Sequence, residues 1–176
     1  MNSRLTQWLT EEDDTWSLVD MPNHVTQGNF VSGDPDGNRL RIQYFTHFTG
    51  LQLMSKVWFG PGTQGPPGCV HGGSIAAVLD EAMGATTWLA GYTAVAAEIT
   101  VTFHKMLPLD TCCLIEPRVV EVDGRKIYTK AEIMDRDGMV YSEGKGLYIT
   151  VDASKFGKMV DHARALLGDE QSPAAE

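Results

Sequence analysis

Cysteine is scarce in this chain. Cys69, Cys112 and Cys113 are too few for a disulfide framework, and their spacing matches no metal-ligand pair. On a strand the adjacent Cys112 and Cys113 would point to opposite faces. They read as small buried thiols of a reducing, cytoplasmic setting. Positive charge is also short. Fourteen Lys and Arg face 23 Asp and Glu, for a net charge of −9. A nucleic-acid binder needs a basic surface to neutralise phosphates, so that class is disfavoured. No apolar run reaches 18 residues, which excludes a membrane-spanning helix. The opening MNSRLTQWLTEEDD lacks the apolar core of a signal peptide.

What is present suits one globular domain with tails. The chain has 176 residues, 43% hydrophobic and 21% charged. The acidity is concentrated at the ends: residues 1–37 carry −6 and residues 151–176 carry −2, against −1 for the middle. The middle can therefore still attract an anionic ligand locally. We divide the chain into an N-terminal extension (1–37), a central domain (38–150) and a C-terminal helix and tail (151–176).

Within 1–20 a short helix is expected. Thr10 and Asp13 sit at capping-box spacing, and Trp8, Trp16 and Leu18 are available to pin the segment to a core. Residues 21–37 read as loop, with a turn at Asp36-Gly37. Residues 39–46 and 51–59 are strands joined by a turn at Thr49-Gly50. GPGTQGPPGCV (60–70) is too rich in Gly and Pro for regular structure. Residues 74–90 contain no proline and read as one long helix. Ile75, Leu79, Ala82 and Thr86 share one face; Gly73, Asp80, Gly84 and Thr87 share another. Gly91 ends it. Four strands follow, at about 94–105, 111–122, 126–135 and 139–150. Asp123-Gly124 and Asp137-Gly138 mark hairpin turns. In the last strand Ser142, Gly144 and Gly146 share a face on which a helix can lie close. A terminal helix is expected over 153–167. This order gives an α+β domain, an antiparallel sheet of about six strands curled around one long central helix.

The informative segment is Gly65-Pro66-Pro67-Gly68-Cys69-Val70-His71-Gly72-Gly73, with Asp80 nine positions after His71. Glycines at a helix start expose N–H groups at the positive end of its dipole, a donor site for an anion or a developing oxyanion. Asp80 is a carboxylate in the middle of an apolar helix, costly unless paired, wetted or used. Glu81 lies about 100° further round. Because Asp80 shares the face of Gly73 and Gly84, we give Asp80 the functional role and Glu81 the solvent-facing one.

The segment GPPGCVHGGSIAAVLDEAMG closely resembles the signature of hotdog-fold acyl-CoA thioesterases, in the thioesterase-superfamily and phenylacetate-degradation-type branch. Over about 38–150 the order of elements is similar too. So is Phe103-His104-Lys105-Met106-Leu107-Pro108-Leu109, which resembles a family strand end. The resemblance implies a hotdog fold and hydrolysis of acyl-CoA to free acid and coenzyme A, with no cofactor and no metal. Asp80 would be the nucleophile or the general base. The Gly72 N–H would polarise the carbonyl, His71 would order the loop, and Gly73 would allow close approach. Gln64 is the nearest polar side chain to assist the carbonyl. Where some members carry Ser or Thr to orient water, this chain has Ala96, so Thr93 or Thr100 would substitute. Lys105, Arg125 and Lys126 stand at strand ends or turns and suit the phosphates of coenzyme A.

Helix arithmetic adds an independent point. Nine residues put Asp80 roughly 13 Å along the axis from His71. A reacting carbonyl must lie within about 3 Å of both donor and nucleophile. Two helices packed antiparallel across a two-fold axis satisfy this, so a homodimer, or a dimer of dimers, is expected. The competing functions are a non-hydrolytic acyl-CoA-binding module, which the missing hydroxyl at Ala96 suits, and enoyl hydration, which Asp80 after His-Gly-Gly disfavours.

Overall fold

Alternation builds the strands, because successive side chains point to opposite faces. In the strand Lys126–Met134, Ile127, Thr129, Ala131 and Ile133 are buried, while Lys126 and Lys130 are exposed. The computed structural model describes residues 3–19, 29–34, 36–48, 52–152 and 154. The elements run α1 (Ser3–Thr10), β1 (Trp16–Val19), β2 (Leu40–His47), β3 (Leu53–Phe59), α2 (Gly72–Leu89), β4 (Ala94–Phe103), β5 (Thr111–Ile115), β6 (Arg118–Asp123), β7 (Lys126–Met134) and β8 (Val140–Thr150).

The eight strands form one open antiparallel sheet in the order β1-β2-β3-β5-β7-β8-β4, with β6 paired to β7. Eight replaces the expected six for two reasons. The run 111–122 breaks at Glu116-Pro117, where proline has no N–H for a ladder. Its halves, β5 and β6, both pair with β7. The second addition is β1, from the N-terminal extension. Asp13 does not close a capping box on α1. Its Oδ1 accepts from the N–H groups of Thr15 and Trp16 at 2.7 and 2.8 Å, turning the chain into β1. Thr10 is the last residue of α1 and donates its hydroxyl to Thr6 O. Leu9, rather than the tryptophans, is the buried anchor, and Leu18 is exposed. The Thr49-Gly50 turn and the 153–167 helix lie outside the described residues, apart from Ser154.

α2 packs across one face of the sheet, against β3, β4, β6, β7 and β8. Ile75, Leu79, Ala82 and Thr86 are buried as expected, and so are Val78, Met83, Ala85 and Leu89. An apolar helix of this kind needs cover on nearly every side. Gly144 lets it approach: a Cβ there would meet Met83 Cε at 3.2 Å and Leu79 Cδ2 at 3.3 Å. Gly91, at φ +86°, ends the helix in the left-handed region, with Tyr92 N–H bonded back to Thr87 O.

One edge of the sheet is β4. Directly paired residues share a face, so Ala96, Ile99, Val101 and Phe103, opposite Tyr148, Gly146, Gly144 and Ser142, stand on the helix side. Only Ala94 of this strand is buried, and Phe103 is 54% exposed. A ten-residue edge whose apolar flank is covered by none of the described residues is a template for further pairing.

Candidate active site

The loop before α2 is fixed by its own backbone. His71 N–H donates to Thr63 O at 2.7 Å, Val70 N–H to Leu107 O at 2.8 Å, and Gly65 N–H to Cys69 O at 2.9 Å. Gly65 has no room for a side chain, since a Cβ would lie 2.8 Å from His71 Cα. The result is a rigid entry into the helix.

His71 is the N-cap. Its backbone is extended, and its Nδ1 accepts from Gly73 N–H at 2.8 Å. His71 was expected to order the loop; its side chain here caps the helix. Gly73 fits beneath the ring; a Cβ there would sit 2.9 Å from Nδ1. The Gly72 N–H, left over at the positive end of the helix, meets no acceptor among the described residues. Beside Gly72 opens a cleft of about 340 Å³ lined by Cys69, Ile75, Phe103, Lys105 and Leu107, among others. The Phe103 ring faces Gly72, where a Cβ would meet Cζ at 3.1 Å.

Asp80 is half-buried in mid-helix. Its Oδ1 accepts from the Tyr148 hydroxyl at 2.8 Å, and the same hydroxyl lies 2.8 Å from Asp80 O. Among the described residues Oδ2 has no partner. Glu81 does not simply face solvent. It is half-buried on the other side of the helix, where its Oε1 accepts from the buried Tyr44 hydroxyl at 3.0 Å. Burial raises the Glu81 pKa above the usual carboxylate range, against the lowering effect of the Tyr44 bond.

The remaining predicted residues separate into two ends. Lys105 lies at the Gly72 end. Gln64 stays within its loop, its Oε1 accepting from Gly68 N–H at 3.4 Å. Thr93, Arg125 and Lys126 stand at the opposite end. Thr93 follows the C-terminus of α2, the Arg125 guanidinium donates to Thr150 O at 2.9 Å, and Lys126 pairs with Asp123 and Ile149. The length of β4 separates these ends by about 30 Å. Thr100 shares the outer face with Lys145, away from Asp80. Cys112 and Cys113 are unreactive in character: burial pushes the Cys113 thiol up to about 12 and also raises Cys112.

Residues 67–142 match the family model described as "Thioesterase superfamily". Over that stretch, less than half of the chain, the sequence resembles that superfamily, and the fold is a hotdog. Relatives agree. The acyl-coenzyme A thioesterase THEM4 of Xenopus laevis is 36% identical over 118 residues, covering 66% of this chain and 53% of that protein. The acyl-coenzyme A thioesterase THEM5 of Homo sapiens is 30% identical over 111 residues, covering 61% and 45%. The chain thus spans about half the length of the curated relatives it matches. A solved thioesterase superfamily protein aligns at TM-score 0.62 with 28% identity, covering 83% of this chain and 71% of the other. The E. coli PaaI protein of the phenylacetic acid degradation operon aligns at TM-score 0.58 with 14% identity, covering 63% and 80%, a likeness of fold. Phe103, Tyr44 and Tyr148 were not singled out as site residues by sequence. The signal for Tyr148 is its place in the alternation 142, 144, 146, 148 that faces the helix.

Proposed function

We propose that the domain hydrolyses acyl-CoA thioesters to a free acid and coenzyme A. The observation that carries the reading is a Gly72 N–H at a helix N-terminus on the same helix as the Asp80 carboxylate, with neither that N–H nor Oδ2 partnered among the described residues of a hotdog domain. The names of the relatives above support the substrate class. The Gly72 N–H donates to the thioester carbonyl and stabilises the oxyanion as charge develops. Asp80 Oδ2 either takes a proton from water, whose hydroxide attacks the carbonyl carbon, or attacks that carbon itself to give an anhydride that water then opens. In both routes the C–S bond breaks and the sulfur leaves with the electron pair. A proton then completes the thiol.

Eight steps of unbroken helix separate Gly72 from Asp80, about 12 Å along the axis. One chain cannot place both at one carbonyl. The uncovered edge of β4 supports a two-fold dimer in which each Gly72 faces the Asp80 of the partner subunit. Antiparallel pairing across β4 carries the residue-93 end of one chain to the residue-103 end of the other. Lys105 then meets Arg125 and Lys126 of the partner subunit, a basic cluster suited to the phosphates of coenzyme A. A cytoplasmic location belongs to the same proposal; it rests on the thiol chemistry of the three cysteines, and cell fractionation tests it.

The test is release of free thiol from a panel of acyl-CoAs. Turnover by the parent, with a loss of about 100-fold or more in Asp80→Asn, is the expected result. Binding of acyl-CoA without thiol release from any member of the panel contradicts hydrolysis. It would favour the binding module that the methyl group of Ala96 suits.

A further inference from the structure

We propose that Tyr148 is the positioning residue of Asp80, fixing its carboxylate so that Oδ2 is presented to the substrate; this rests on the hydrolytic reading above. Tyr148 is the side chain that hydrogen-bonds Asp80 among the described residues. A phenol has a single proton, and here it is shared by Oδ1 and the main-chain oxygen of the same residue, each 2.8 Å away. That pair of contacts restrains both side-chain torsions of Asp80 and leaves the second carboxylate oxygen unoccupied.

The ring itself is held. Tyr148 is 2% exposed and projects from β8 on the face that α2 covers. A Cβ at Gly146 would fall 2.5 Å from Tyr148 Cε2 and 2.7 Å from Thr129 Oγ1, so glycine there leaves the space the ring occupies. Across the slot, a Cβ at Gly84 of α2 would sit 3.5 Å from Tyr148 Cε1. On the neighbouring strand the residue paired with Tyr148 is Ala96.

Burial and the Asp80 charge push Tyr148 ionisation far above the ordinary phenol range. The group is therefore a permanent donor at any pH at which the domain is folded. Glu81, adjacent on α2, is the other titratable group coupled to Asp80, and its own hydroxyl partner is Tyr44.

The test compares the parent, Tyr148→Phe and Asp80→Asn, reading kcat, KM and the thermal midpoint. Tyr148→Phe is expected to lower kcat about tenfold, with KM within about twofold, because a displaced reacting group costs the transition state more than ground-state binding. A Tyr148 that merely ties α2 to the sheet would lower the thermal midpoint and leave kcat unchanged below it. If Asp80→Asn is inactive while Tyr148→Phe keeps the parent kcat, the positioning role is overturned and hydrolysis by Asp80 stands. If Asp80→Asn keeps the parent rate, the hydrolytic reading falls and this role with it. Should Tyr148→Phe not fold, 4-fluorophenylalanine at position 148 keeps the ring and fills the space of the hydroxyl without a proton to donate. The same fall in kcat is then expected, and the parent kcat overturns the proposal.

Discussion

Asp80 and Glu81 are neighbours with the same functional group, yet the fold gives them different tasks. About 100° of helix rotation turns Asp80 toward β8 and Glu81 toward β2. Each meets a tyrosine hydroxyl, but burial raises the pKa of Glu81, and that sets its stability signature. An acid whose folded pKa lies above its unfolded value favours folding most when protonated. Its contribution is full below the unfolded pKa and declines as pH rises through the interval up to the folded one. Glu81→Gln keeps an acceptor for Tyr44 and removes the charge. Denaturant midpoints at pH 7 are expected to be equal to or above those of the parent, with turnover retained; a clear drop in midpoint would show that the ionised form stabilises the fold. At this scale the sequence singled out Asp80 through its shared face with Gly73 and Gly84, and in the structure its carboxylate is half-buried against Tyr148. It did not mark Tyr148 and Tyr44, because a helix reading cannot say which distant strand supplies a partner.

At the scale of elements, the loop and α2 act together. His71 ends the loop and starts the helix through one bond, from Gly73 N–H to its Nδ1. His71→Ala removes that acceptor and is expected to cost about 1 kcal/mol of stability. For a chain of this length that amounts to a fall of roughly 2–4 °C in the thermal midpoint. Turnover should fall further than stability implies, because the same bond orders the backbone that presents Gly72 N–H. Calorimetry beside the thiol-release assay checks both, and unchanged turnover would detach His71 from the site. The helix was legible because both its ends are written in residues: His-Gly-Gly at the start and Gly91 at the finish. The strand β1 was not, since Asp13 caps a turn as readily as it closes a capping box. The break at Pro117 was legible in principle, through the missing N–H of proline within an apparent strand.

At the scale of the whole molecule, the described residues leave the sheet unfinished along β4. Among the described residues nothing pairs with its outer backbone edge, and nothing covers the apolar Ile99 and Phe103 beside α2. Pairing across a two-fold axis would close that edge and bring Gly72 of each subunit toward Asp80 of the other. The central claim is therefore a shared site, and complementation reads it directly. Gly72→Val crowds the carbonyl site, where even a Cβ meets Phe103 at 3.1 Å, and Asp80→Asn removes the carboxylate. Each variant alone is expected to be nearly inactive. Mixed in equal amounts and exchanged, they give about half mixed dimers by random pairing. Each mixed dimer would hold one site with both lesions and one with neither, so acyl-CoA hydrolysis should return to about a quarter of the parent rate. With folding of Gly72→Val and subunit exchange verified, no recovery in the mixed dimer would contradict the account.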